Sequence, residues 1–185
     1  MNSEKTKKLV IAALMAAMTC ISTMIIEFPS PVGYIHIGDG FVLVSGMILG
    51  PLYGGAAAGI GSMLADLLSG YTSFALATLI IKALAAITGS LIYQLLSRYF
   101  TSKKSRIIPI FFASICGGVI VTSGYFIFEG YIIGYGVATA AAGILFNIVQ
   151  NIFGIILSII LMPILMMLPE IRSIMVGNIK RKENL

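Results

Sequence analysis

Residues 41–69 read FVLVSGMILGPLYGGAAAGIGSMLADLLS, and how this stretch crosses an apolar phase decides the fold. It is apolar almost throughout and is broken at Gly50-Pro51 and again at Gly54-Gly55. As a single helix it would be ~43 Å long, well over a hydrocarbon core of ~30 Å. Divided near Pro51 it gives two short helices, because a proline inside a helix removes a backbone donor and clashes with the preceding turn.

The flanking charges bear on the choice. Basic residues fall in three blocks: Lys5, Lys7 and Lys8; Arg98, Lys103, Lys104 and Arg106; and Arg172, Lys180, Arg181 and Lys182. Lys and Arg concentrate on the cytoplasmic side of membrane proteins. An even number of crossings must then separate each pair of blocks. A single helix over 41–69 breaks that parity. Two short helices keep it, and so does a re-entrant pair. The expectation is an all-α integral membrane protein, a single membrane domain of six helices over roughly 9–26, 41–51, 54–69, 72–96, 107–128 and 138–168, with both termini cytoplasmic.

Composition points the same way. Of 185 residues, 58% are hydrophobic and 10% are charged, against roughly 25% charged in soluble domains. That excludes a soluble globular or disordered chain. The net charge of +5 sits in short blocks between apolar runs, which speaks for membrane orientation and against nucleic acid. Cys20 and Cys116 lie inside apolar runs and read as packing residues, with no disulfide or metal site inferred. The run after Lys8 is longer than a signal-peptide core and no small-residue cleavage site precedes Glu27, so a retained first helix is expected.

A few polar residues stand out. Lys82 lies deep in the fourth helix, where an ammonium costs at least ~2.5 kcal/mol and commonly marks a functional site. It pairs with Asp66 on the preceding helix, lines a polar cavity, or snorkels. Asn147, Gln150 and Asn151 share one helix face, for interhelical hydrogen bonds or for a ligand. The loop FPSPVGYIHIGDG, residues 28–40, holds the only histidine, His36, beside Asp39. Residues 34–37 read as extended. Asp39 either caps the next helix or belongs with His36 to a loop that folds over a ligand. Tyr71 and Glu129 fall at the same rim, as interface residues or as part of that site. Ala12/Ala16 and Ala13/Ala17 repeat at four-residue spacing, which suits close internal packing or a docking face. There is no G-x-x-x-x-G-K-[ST] loop and no H-E-x-x-H.

The chain resembles the substrate-binding S component of energy-coupling-factor (ECF) vitamin transporters over nearly its whole length. The residues that carry the resemblance are the basic N-terminus with Ala12–Ala17, Ile37-Gly-Asp-Gly-Phe, Gly50-Pro-Leu-Tyr-Gly-Gly, Ala65-Asp-Leu-Leu-Ser-Gly-Tyr71 and Ile81-Lys-Ala-Leu. The last two are similar to the subgroup for hydroxymethylpyrimidine or pyridoxine. The resemblance implies a high-affinity vitamin-binding subunit in the bacterial cell membrane. It is not an enzyme, and no cofactor or metal is expected. Ala12, Ala13, Ala16 and Ala17 would dock on a membrane coupling (T) subunit driven by two cytoplasmic ATPases. Tyr34, Tyr71 and Tyr125 would wall the pocket. His36, Asp39, Asp66, Lys82, Glu129, Asn147, Gln150 and Asn151 would supply polar contacts. Riboflavin or another vitamin is the alternative substrate. From other classes, the alternatives are a small intramembrane hydrolase using Ser62 or Ser69, or a packing scaffold.

Overall fold

A computed structural model describes residues 3–30, 33–102 and 105–183. Pro31 of the first loop and Lys103 and Lys104 of the central basic block lie outside the described residues. The chain runs α1 (Ser3–Ile25), a hairpin of β1 (Glu27–Ser30) and β2 (Gly33–His36), α2 (Asp39–Leu68), α3 (Ala75–Leu96), α4 (Ile107–Ile127), a π-helical turn Phe128–Ile132, α5 (Val137–Leu165) and α6 (Pro169–Glu183). Five helical segments among the described residues are long and apolar enough to cross a membrane.

The decisive stretch forms two short helices that meet at a sharp break at Gly50, with no intervening loop. Gly50 has φ 85° and ψ 176°, which only glycine adopts without strain. The chain reverses there. Ser45 Oγ donates to the Gly54 carbonyl at 3.1 Å, although nine residues of straight helix would hold these groups ~13 Å apart. Gly54 lies against the backbone of Ser45 and Gly46, where a Cβ would not fit. The two halves of α2 therefore fold back on each other, and Asp39 and Asp66 return to the same end of the bundle.

α2 is the centre of the packing. It contacts α1, α3, α5 and α6, and Val42, Val44, Ile48 and Ala58 are fully buried. α5 differs. Leu145, Ile148, Ile152, Ile156, Ile160 and Ile164 recur every three or four residues and are all exposed, an apolar stripe suited to lipid.

Two features depart from expectation. Helix α6 follows 138–168 directly, opening on Pro169, whose fixed φ and missing donor suit a first helical position. Its Ile171, Ile174 and Met175 join the core cluster. The alanine repeat of α1 is also split between two environments. Ala12 and Ala16 pack against the core, and the Ala16 carbonyl lies where a Cβ on Gly61 would stand. Ala13 and Ala17 are exposed, alongside the exposed Val10, Leu14 and Ile21.

Candidate functional site

The hairpin pairs antiparallel, with Glu27 opposite His36 and Ser30 opposite Gly33. The extended reading of 34–37 thus holds through His36. Beneath it lies a cavity of about 40 Å³. Its lining includes eight of the residues singled out from sequence: Tyr34, His36, Asp66, Tyr71, Tyr125, Glu129, Asn147 and Gln150. The rings of Tyr34 and Tyr71 lie 4.5 Å apart, centre to centre, and form one wall. Tyr34 Oη donates to Asp66 Oδ1 at 2.6 Å, tying the hairpin to α2. Burial, then the Asp66 charge, push the Tyr34 hydroxyl up, so it stays a proton donor.

Lys82 and Asp39 are not in the wall. They form a buried ion pair behind it, with Lys82 Nζ donating to Asp39 Oδ1. The residues are 0% and 2% exposed. This corrects two expectations. Lys82 pairs with Asp39 rather than Asp66, because the reversal at Gly50 brings the start of α2 alongside α3. Asp39 does not cap α2: the cap position is Gly38, without a side-chain bond. The ammonium lies 5.3 Å from the centroid of the Tyr125 ring, and that ring lines the cavity.

A relay runs from this pair to the hairpin. Gln150 Nε2 donates to Asp39 Oδ2 at 2.8 Å. Gln150 Oε1 accepts from the His36 backbone N–H at 3.0 Å. The amide is thereby fixed in orientation, with α5 clamping the strand through it. His36 Nδ1 accepts the Gly38 N–H at 3.0 Å and lies 3.4 Å from Thr23 Oγ1 on α1. Burial, reinforced by Lys82, lowers the His36 pKa to about 3 against the opposing pull of Asp39. The imidazole is neutral, as its acceptor role requires.

The three amides separate. Gln150 belongs to the relay. Asn147 lines the cavity while donating to the Gly143 carbonyl of its own helix at 3.2 Å. Asn151 turns to α4, donating to the Gly118 carbonyl at 2.9 Å and Thr122 Oγ1 at 2.8 Å. It lies outside the hairpin-covered cavity and bonds between helices.

Phe74, Thr78 and Phe146 also line the cavity, although none of them stands out in the sequence by residue type alone. Phe74, Thr78 and Lys82 stand four residues apart on one face of the α3 segment, and Gly143, Asn147 and Gln150 share a face of α5. Projecting those faces outward from the polar residues would have found Phe74 and Thr78. Thr78 Oγ1 lies 2.9 Å from Tyr125 Oη, joining two cavity walls. Of the two hydrolase alternatives, Ser62 and Ser69, Ser62 is 1% exposed. Its hydroxyl has no hydrogen-bond partner among the described residues, so no base is placed to activate it.

A solved structure of the S component of a bacterial ECF transporter superposes with a TM-score of 0.63 at 22% identity, covering 85% of this chain and 94% of that one. The likeness is one of fold. An uncharacterized protein of Pyrococcus woesei, encoded in a gap 3′ region, is 33% identical over 137 residues, 73% of this chain and 85% of the relative. The family model for the S component of ECF-type riboflavin transporters matches residues 3–167. With that match over most of its length, the chain belongs to the ECF-type riboflavin transporter S component family.

Proposed function

We propose that this chain is the high-affinity binding subunit of an ECF-type importer and that its ligand is a single-ring heteroaromatic vitamin or precursor, similar to hydroxymethylpyrimidine or pyridoxine. The observation that carries the reading is the cavity itself: aromatic side chains and convergent polar groups, covered by a hairpin held through Tyr34–Asp66 and His36–Gln150. Sites for small ligands are built this way. The space of about 40 Å³ is well below the ~150 Å³ that holds a benzene ring. A bound ring needs the lining to open further, and a single ring needs the smaller opening. The second reading is riboflavin, favoured by the name of the matching family.

The membrane arrangement belongs to the same proposal. The two halves of α2 count as separate short spans, giving six in all, and the basic blocks put both termini in the cytoplasm. Family membership implies association with a T subunit and two ATPases. The exposed side of α1, with Ala13 and Ala17, is the docking face assigned to that coupling. The remaining alanines, Ala12 and Ala16, serve internal packing.

The test is to purify the chain in mild detergent, denature it and identify any released molecule by mass spectrometry. A stoichiometric pyridine or pyrimidine alcohol is the expected result. Released riboflavin would keep the subunit and replace the substrate. No released ligand, and no binding across a panel of vitamins by titration, would overturn the reading.

A further inference from the structure

Two carboxyl groups in the cavity wall are incompletely bonded. Asp66 and Glu129 are each 4% exposed. Asp66 Oδ1 receives the Tyr34 hydroxyl and the Thr78 hydroxyl also faces this carboxyl, but Asp66 Oδ2 and Glu129 Oε2 are buried and lack a hydrogen bond of good geometry among the described residues. A buried acceptor left unpaired is costly, more so when charged. The fold nevertheless presents both. Asp66 stands near the end of α2, and Glu129 sits in the π-helical turn after α4. Such turns occur frequently at functional sites.

The surroundings do not neutralise them. Among the described residues, no Lys or Arg lines the cavity. Lys82 is engaged by Asp39, and His36 is neutral. Charge balance and donors must come from what enters.

We propose, building on the vitamin-binding reading above, that Asp66 and Glu129 are the specificity-determining pair of this site and select a ring that offers N–H donors at its edge: a protonatable ring nitrogen, alone or beside an exocyclic amine. A carboxyl group meets a ring nitrogen beside an exocyclic amine with two parallel hydrogen bonds and a lone ring nitrogen with one, and either pairing holds with the proton on either partner. Phosphorylated or carboxylated rings are rejected, because they would bring a like charge beside two acids in a site of low dielectric. The imide edge of a flavin is also a poor match. Its single N–H is flanked by two carbonyl oxygens, which would face the carboxylates acceptor to acceptor.

Four probes separate the outcomes by isothermal titration of the purified chain: 4-amino-5-hydroxymethyl-2-methylpyrimidine, pyridoxine, pyridoxal 5′-phosphate and riboflavin. The aminopyrimidine or pyridoxine is expected to bind at least a hundredfold more tightly than the phosphate ester or the flavin. Glu129→Gln and Asp66→Asn should each weaken that ring at least tenfold. Both variants keep an acceptor oxygen, so Tyr34 retains its partner, and an unchanged melting temperature in detergent confirms the fold. The inference is overturned if either variant binds as the wild type does, if the phosphate ester binds as tightly as pyridoxine, or if riboflavin alone binds. That last result leaves a vitamin-binding subunit standing. Failure of all four probes together with a wider vitamin panel overturns the vitamin-binding reading itself.

Discussion

Asp39 and Asp66 lie at opposite ends of one folded-back element and meet opposite fates. Asp39 is 2% exposed and saturated: Lys82 on one oxygen, Gln150 on the other. Asp66 is 4% exposed and incompletely bonded: Tyr34 donates to one oxygen, the Thr78 hydroxyl faces the carboxyl, and the second oxygen has no well-formed hydrogen bond among the described residues. Burial is nearly equal, so burial does not separate structure from function here. Completion of the hydrogen bonds does. The layer behind the cavity closes its own charges and holds the hairpin, whereas the cavity wall leaves acceptors for something else to complete.

The sharpest way to break that contrast is to open the saturated layer. Lys82→Met leaves Asp39 buried without its cation, and breaking a buried pair from one side costs about 3–5 kcal/mol. The variant should show a melting temperature in detergent far below the wild type, with ligand binding lost along with the fold. Lys82→Met combined with Asp39→Asn should recover most of the stability, since asparagine still accepts from Gln150. A single variant as stable as the wild type would mean that the pair does not hold the layer together. If the double variant folds and binds ligand, Lys82 acts from behind the wall; if it folds and does not bind, the charge pair also shapes the site.

The relay also marks what the sequence could and could not disclose. Lys82 and Gln150 were legible as polar residues stranded in apolar runs, and the break at Gly50-Pro51 was legible from backbone chemistry alone. The partner of Lys82 was not. Asp66 is nearer in sequence and Asp39 looked like a helix cap, and only the sharpness of the reversal at Gly50 brings Asp39 to α3. The amide face was read as one unit because helical periodicity says which side chains share a face. It does not say which neighbour each one meets, so Asn151, bonded to α4, and Gln150, bonded to α2 and β2, looked alike. Helix α6 escaped because its apolar residues are few and its burial comes from packing against the core.

A middle-sized effect probes the two sides of α1. Ala16→Trp puts an indole on the side of α1 that packs against the core, where overpacking costs about 1–3 kcal/mol or more. Thermal stability should fall, and binding with it. Ala13→Trp sits on the exposed side. It should leave stability and ligand affinity at wild-type values while lowering uptake in cells that supply the T and ATPase subunits. Equal losses of stability in both variants would refute the division of the helix into a packing side and a docking side, and unchanged uptake for Ala13→Trp would remove the docking face from α1.

The smallest effect lies at the hairpin, where the saturated layer meets the cavity. His36 has a pKa of about 3 in the fold and about 6.5 in an unfolded chain. Below 6.5 the unfolded chain takes up a proton that the folded one refuses, so the unfolded state is favoured by acid. The contribution of neutral His36 is therefore fully present above pH 6.5 and shrinks as pH falls toward 3. His36→Asn keeps an acceptor for the Gly38 N–H and removes the titration. Melting temperatures measured between pH 7.5 and 5 should decline for the wild type and stay flatter for the variant. The same acid slope in both would place the sensitivity elsewhere and free His36 from its neutral role in holding the hairpin.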